Sequence, residues 1–516
     1  MMAELALESW LAETPELIWR TGPPVPDRIW SLAEPMATVP PRGLRRQGLR
    51  IAQILMQGKV DAALSAPGSG DGGGLVTLQV GLTAELAAHD AVSDVYLITR
   101  SVQDGSGRFV EPIEPISPGG TLARIDFGPQ GYVPTTDMWP LRPELERRLR
   151  EFLISAGPFD AMHLRFADVG TYVAARVGKQ LGIPVFFTLA PDPHAVVAAA
   201  EKAGRLTRSN YARADLEHHY LFRAWLVEWM ISISDRIALL PRSGHEQQFR
   251  DLLDIDIAAS TERFKTIAEG VDYERSLRAR HIVKTQTPPD DRPRVLSDLG
   301  RMIDGLPESR HGLPLILSVG RLNPVKGMSR VVEAWVTHAS IRDSYNLLIV
   351  GGDLSTPSRG ELEVLETICE AAGHGPSDGL LLMGGRAHGE VSLLMAAVAD
   401  GMPDQVGRHG IYVSGSEKEE FGLAIVEALA FGLPVVVPEV GGPATYVEQG
   451  FTGFLTDTTS TRGIQQGIEW AETARHSEVR ADAARRMVRN RYSLAAMADE
   501  LVDLYNTGEE RRFTAS

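Results

Sequence analysis

The chain has 516 residues and a single cysteine, Cys369, so no disulfide forms within it, and a reducing cytoplasm is the expected compartment. It lacks any uninterrupted apolar run of about 18 residues, the length a spanning helix requires, so no membrane span is expected. Basic residues are in deficit: 52 Lys and Arg against 67 Asp and Glu leave a net charge of −15. That balance argues against nucleic acid or an anionic membrane surface as partner. The opening residues, "MMAELALESWLAETPELIW", have neither a basic start nor an apolar core and do not read as a secretory signal. Neither a solenoid period nor a low-complexity tract appears. What remains is a soluble intracellular chain long enough for two domains.

Glycine, by contrast, is plentiful at 50 residues. In "APGSGDGGGLVTLQVGL" (66–82), Gly68, Gly70 and Gly73 satisfy G-x-G-x-x-G, the pattern of a dinucleotide-binding turn. Such a turn needs a strand running directly into the glycines and an acid about 20 residues on, closing the second strand. Here the strand "LRIAQILMQG" ends well before Gly68. The next strand, "DVYLITR", ends on Arg100, with its acid Asp94 at the wrong end. A nicotinamide site fails on both counts, and the glycines need another ligand.

Along the chain, residues 1–49 are rich in Pro and Arg and read as an N-terminal extension. From 50 to about 290, short apolar strands such as "VYLITR", "AMHLRF", "IPVFFTLA" and "RIALLP" alternate with amphipathic helices. The polar, proline-containing stretch 284–311 reads as an interdomain linker. Alternation resumes over 291–490 with "LPLILSVGR", "NLLIVGG", "GLLLMGG", "GIYVSGS", "LPVVVPE" and "GFLTD". Strands this short and continuously apolar suit parallel sheets covered on both faces. The expected fold is α/β, with two facing Rossmann-like, doubly wound parallel-sheet domains and a cleft between them. Residues 491–516 carry a terminal helix that can return to the first domain.

The segment "GSEKEEFGLAIVEALAFGLPVVVPEVGGP" holds the chemistry. Phe421 to Phe431 should form a helix stopped by Gly432. Leu423, Ile425, Val426, Leu429 and Phe431 surround its whole wheel, and a helix apolar all round is buried. Glu427 has no polar face to retreat to and therefore needs hydrogen-bond donors, either a ligand's hydroxyls or a framework Arg or backbone amides. Glu419 lies at the mouth of this helix, past the end of "GIYVSGS", where open α/β sheets bind ligands. Its neighbours Glu417 and Glu420 read as solvated surface acids. Gly441 and Gly442, between a strand and a helix, offer amides to an anion or make an ordinary turn.

Glu419-x₇-Glu427 followed by "FGLPVVVPEVGGP" resembles the signature of retaining nucleotide-sugar glycosyltransferases of the GT-B fold. "SVGRLNPVKGMSRVVEAW" agrees with it, carrying Arg321 after a strand and Lys326 five residues on. In that family the pair grips the donor diphosphate, whose charge grows as it departs. The likeness extends to the sucrose-phosphate synthase and sucrose synthase branch through Asp71-Gly72-Gly73-Gly74, a D-(S/T)-G-G-like loop. Further echoes are "EPIEPISPGGTLARIDFGPQGYVP", "DAMHLRFADVGTYVAARVGKQLGIPVFFT", "SDRIALLPRSGHEQ" and "TIAEGVDYERS".

The resemblance implies an acceptor domain followed by a donor domain, with no cofactor and no required metal. It implies that Gly73 and Gly74 approach the donor phosphates, that Glu427 holds the ribose and that Glu419 holds sugar hydroxyls. Phe421, Gly422 and Leu423 join the donor site, and Asp71, Arg165 and Asp168 the acceptor side. The chain departs from the family in one place: Ala190 stands where a histidine is common, and His194 is the nearest imidazole, either reaching in or lying at the surface. Arg165 either holds an acceptor phosphate or pairs with Asp168.

Two further patterns are discounted. The Asp254–Asp256 "DID" reads as a solvated acid pair, and the adjacent histidines of "EHHY" (217–220) point to different faces of a helix. The expected activity is transfer of a hexose, glucose first, from a nucleotide sugar to a sugar, sugar phosphate or other small hydroxylated acceptor. The rivals are a sugar-nucleotide epimerase on the same fold, which needs no acceptor, and a nucleotide-sugar-binding protein without turnover. No oligomeric state is assigned.

Overall fold

A computed structural model describes residues 48–64, 73–103, 111–190, 192–202, 204–285, 291–373 and 378–506. Almost all of the expected N-terminal extension, the candidate Asp71, and Gly68, Gly70 and Gly72 lie outside the described residues.

Two sheets carry the chain. The first is built from β1 (Leu49–Ile54), β2 (Val92–Arg100), β3 (Ile113–Ser117), β4 (Gly120–Ile125), β5 (Ala161–Arg165), β6 (Val185–Leu189), β7 (Arg236–Leu239) and β8 (Phe264–Thr266). Its order is β3-β4-β2-β1-β5-β6-β7-β8, parallel except where β3 runs against β4. The second contains β9 (Pro314–Val319), β10 (Asn346–Val350), β11 (Leu380–Leu382), β12 (Gly407–Val413), β13 (Val435–Pro438) and β14 (Gly453–Thr456). Its order is β11-β10-β9-β12-β13-β14, and every pairing is parallel. β5, β6, β10 and β13 are buried at every position, as parallel strands covered on both faces must be. Strand order reverses beside β1 in one sheet and beside β9 in the other, and ligands of such folds bind off the carboxyl ends at these points.

Two crossings join the halves. Val271 and Ser493 pair where the chain leaves the first sheet and where it returns, with Val271 N donating to Tyr492 O at 2.9 Å and Leu494 N to Val271 O at 3.0 Å. The terminal helix Leu494–Asn506 then packs on the first sheet, where Leu494, Met497 and Leu501 share a core with Leu78 and Leu82 of the helix Gly73–Ala88. The helix Tyr273–Lys284 makes the opposite excursion and packs on the helix His388–Asp400 of the second half, with Arg280 clamped to Asp400 by two bonds of 2.7 Å.

Two local readings are corrected. The expected linker 284–311 contains the helix Arg294–Asp304, which buries Val295, Leu296, Leu299 and Ile303. Those four recur at three- and four-residue spacing, and their shared apolar face outweighs the flanking prolines. The expected helix 421–431 is Leu423–Ala430, because Gly422 before it takes a left-handed φ of +90° that ends helical geometry there.

Candidate functional site

At the carboxyl edge of the second sheet, β9 leads to Arg321 and then to the short turn Pro324–Lys326. β12 leads to the loop that carries Ser416 and Glu419. These two loops meet. Lys326 Nζ lies 2.6 Å from Glu419 Oε1, and Ser416 Oγ donates to the same oxygen at 2.5 Å. Arg321 is exposed, and its guanidinium has no hydrogen-bond or ion-pair partner among the described residues.

The turn after β13 closes onto Glu419 from the other side. Gly442 N donates to Glu419 O at 3.0 Å, and a Cβ at Gly441 would stand 1.9 Å from that carbonyl. Only glycine fits there, all the more because its φ is +99°. Tyr446 Oη pins the start of the helix by donating to Phe421 O at 2.7 Å.

Glu427, on the helix Leu423–Ala430, is half-buried with one oxygen 2.5 Å from His388 Nε2. The other ring nitrogen of His388 contacts Arg275, so a cation backs the imidazole that meets the carboxylate. The donor that Glu427 requires is therefore a histidine from the helix His388–Asp400, with an arginine behind it. Burial raises the phenol of Tyr412 far above its usual range, and the charges of Glu419 and Glu427 both add to the rise.

The first sheet presents its own helix start. The helix Gly73–Ala88 begins at the first of the candidate glycines, and a Cβ on Gly74 would lie 3.7 Å from Leu423 Cδ1. The starts of the helices Gly73–Ala88 and Leu423–Ala430 thus meet across the cleft, and the dipole of a helix favours an anion at such a start.

Arg165 and Asp168 are close in sequence but not paired. Arg165, buried at the end of β5, bonds to Glu269 at 2.5 Å, and its Nε and Nη1 have no partner. Burial raises the Glu269 carboxyl above the usual range. Asp168 caps the helix Val169–Gln180 by accepting from Thr171 N at 2.7 Å, and it also accepts from Gln57 Nε2 at 2.6 Å. The alternative of an Arg165–Asp168 bridge is therefore set aside. A helix start needs the aspartate more, and Glu269 is the closer acid.

His194 lies in the first turn of the helix Pro193–Lys202, its Nε2 3.8 Å from Glu228 and without a hydrogen bond.

Glu417 and Glu420 are not free surface acids. Glu420 takes Arg242 Nη1 at 3.2 Å, and Glu417 takes Arg205 at 3.1 Å. Arg242 also holds Asp192 at 2.9 Å. Sequence reasoning passed over Arg242, Asp192, His388, Arg275 and Glu269. Arg242 alone carried a local signal, because it follows a strand by three residues much as Arg321 does. Among the described residues no group of His, Cys, Asp or Glu is arranged to hold a metal.

Residues 307–492 match the family model described as glycosyl transferases group 1. The chain is 27% identical over 420 residues to a D-inositol 3-phosphate glycosyltransferase of Acidothermus cellulolyticus, an alignment covering 79% of each chain. It is 23% identical to a probable sucrose-phosphate synthase of Vicia faba, covering 77% of this chain but only 42% of that relative's length. Among solved structures, a sucrose-phosphate synthase from Thermosynechococcus elongatus superposes with a TM-score of 0.63 at 20% identity, covering 91% of this chain and all of the other. The architecture is that of the GT-B glycosyltransferases.

Proposed function

The chain carries a glycosyl transferases group 1 domain, and from that premise we propose that it moves a hexosyl group, glucose first, from a nucleotide-diphosphate sugar to a sugar, sugar phosphate or similarly hydroxylated small acceptor, with retention at the anomeric carbon. The contact of Lys326 with Glu419 beside the unpartnered Arg321 carries this reading. One paired and one unpartnered cation thus accompany a carboxylate at the carboxyl edge of a doubly wound sheet, where a sugar diphosphate would present anionic oxygens and hydroxyls side by side.

On this reading the donor diphosphate draws Lys326 from Glu419 and lies between Lys326, Arg321 and the two helix starts. Glu419, released, accepts hydrogen bonds from sugar hydroxyls. Glu427, held by His388, keeps a second oxygen for the ribose. The acceptor enters from the first sheet, where Arg165 offers two unpaired nitrogens, Nε and Nη1, to a phosphate and Asp168 lies near the end of β5. The sugar–phosphate bond breaks as the acceptor oxygen adds to the same face of the anomeric carbon, and the leaving phosphate takes the acceptor's proton. Arg321 and Lys326 stabilise the charge that the leaving group gathers. No residue near Glu419 acts as a covalent nucleophile in this scheme, and no metal is required.

Relatives support the donor class: one superposed structure, of an Anabaena protein, is described in complex with UDP-glucose. A thermal-shift panel of UDP-, GDP- and ADP-sugars, with NAD as control, tests the reading. A ligand at a hundred times its dissociation constant adds about 2.7 kcal/mol to stability. One nucleotide sugar is expected to raise the melting temperature, and Glu427→Ala to abolish the rise. A shift with NAD alone would overturn the reading. Product analysis with and without acceptor then separates transfer from epimerisation.

A further inference from the structure

One guanidinium ties the two sheets together beside the candidate centre. Arg242 lies three residues beyond the end of β7, in the first-sheet half, and its side chain is only 7% exposed. Its Nη2 donates to Asp192 Oδ2 at 2.9 Å, on the same side of the cleft. Its Nη1 donates to Glu420 Oε2 at 3.2 Å, on the opposite side. Each acid sits next to a candidate residue of the proposed reaction. Asp192 Oδ1 accepts the backbone N–H of His194 at 3.0 Å, and Gln248 Nε2 steadies the other oxygen at 3.3 Å. Glu420 adjoins Glu419, and its second oxygen takes Lys418 Nζ at 3.0 Å.

We propose that Arg242 is a positioning residue that locks the start of the His194-bearing helix of the first half to the Glu419-bearing loop of the second, and so sets the cleft geometry in which transfer occurs. The role rests on the proposed function, but the clamp itself is a property of the fold. A planar, permanently charged fork is suited to two carboxylates on different elements, whereas a lysine offers one point charge. Arg205 and Glu417 also bridge the halves, but the Arg205 side chain is 55% exposed, where water and salt weaken the pair. Of the two bridges, the buried one controls the distance. The clamp touches neither the diphosphate cations Arg321 and Lys326 nor Glu427, so its loss should leave donor affinity intact and reduce turnover.

The test is a double-mutant cycle of Arg242→Gln, Glu420→Gln and the double variant in the full chain. Turnover and nucleotide-sugar affinity are measured separately, and folding is checked by thermal melting. Each single variant is expected to lower kcat by about 10-fold or more, as misplacement of reacting groups does. Donor affinity should stay within about twofold by the same argument, and the double variant should lose no more than the worse single. Singles at wild-type kcat, or a double loss equal to the product of the single losses, would overturn the proposal. Glu420→Gln leaves the Arg242–Asp192 pair in place, so it decides the matter if Arg242→Gln does not fold.

A readout independent of activity separates this idea from the functional reading. Spin labels at the exposed Ile154 and Arg359, in a Cys369→Ser background, report the distance between the halves. Glu420→Gln is expected to broaden a narrow wild-type distribution, and an unchanged distribution overturns the clamp. A wild-type chain that neither binds nor turns over any nucleotide sugar sinks the proposed function alone, while the distance measurement still decides the clamp.

Discussion

A lysine and a carboxylate 2.6 Å apart at the mouth of a cleft neutralise each other until a third charge arrives. For Lys326 and Glu419 that third charge is the donor diphosphate of the proposed reaction. Lys326→Ala is therefore expected to lower transfer by roughly 10²–10³-fold, with kcat falling more than KM rises, in steady-state kinetics with saturating acceptor. Gly441→Ala would set a Cβ 1.9 Å from Glu419 O and displace that loop, so the nucleotide-sugar thermal shift should vanish in this variant. A third prediction concerns His163, buried in β5 between Thr188 and Tyr505, both at 2.7 Å. Burial, with the nearby Arg165 adding to it, pushes its imidazole down from 6.5 to about 3. The unfolded chain takes up this proton as pH falls through 6.5 and the folded chain does not until about 3. Stability is thus fully present above that window and is lost going down through it, by up to about 1.4 kcal/mol per pH unit. Denaturant melts from pH 7 to pH 4 should show this slope, and His163→Gln should flatten it.

At the level of elements, two helices hold positions that their neighbours in sequence do not suggest. The helix Leu494–Asn506 belongs to the end of the chain, yet Leu501 is fully buried on the first sheet with Leu82. Leu501→Ala should cost about 2–5 kcal/mol in urea denaturation, as deletion of a buried leucine side chain does. The helix Arg294–Asp304 hides in a stretch whose prolines and charges read as a linker. Its four apolar positions were visible in "RVLSDLGRMID", but turn signals on either side masked them. The strands of both sheets were far easier to read, because continuous apolar runs bounded by glycine leave few alternatives. β3, β4 and β8 were less distinct. β3 is only half-buried, and β8 is three residues long, too short to show a pattern.

Across the whole molecule, the return of the chain makes the first sheet depend on the last helix. A fragment spanning residues 48–290 would expose Leu78, Leu82 and Leu86, which the full chain covers with Leu494, Met497 and Leu501. Such a fragment is expected to lose the cooperative thermal transition of the intact protein and to bind a hydrophobic dye. The same crossing brings the two sheets to one cleft, so that Gly74 faces Leu423 and Arg242 reaches Glu420.

The sequence by itself determined the α/β class, the two parallel sheets, and the local signatures at Glu419, Glu427, Arg321 and Lys326. Hydrophobic period and chain geometry suffice for the class and the sheets, and the four site residues stand out through short local spacings that resemble a known family. Only the tertiary structure decided the partners of those residues. His388 behind Glu427, Arg242 against Glu420 and Glu269 against Arg165 come from elements 39, 178 and 104 residues away from the acids or base they meet. Which cation a buried carboxylate finds depends on which strands lie side by side and where a returning chain packs. No local period in the sequence encodes that adjacency.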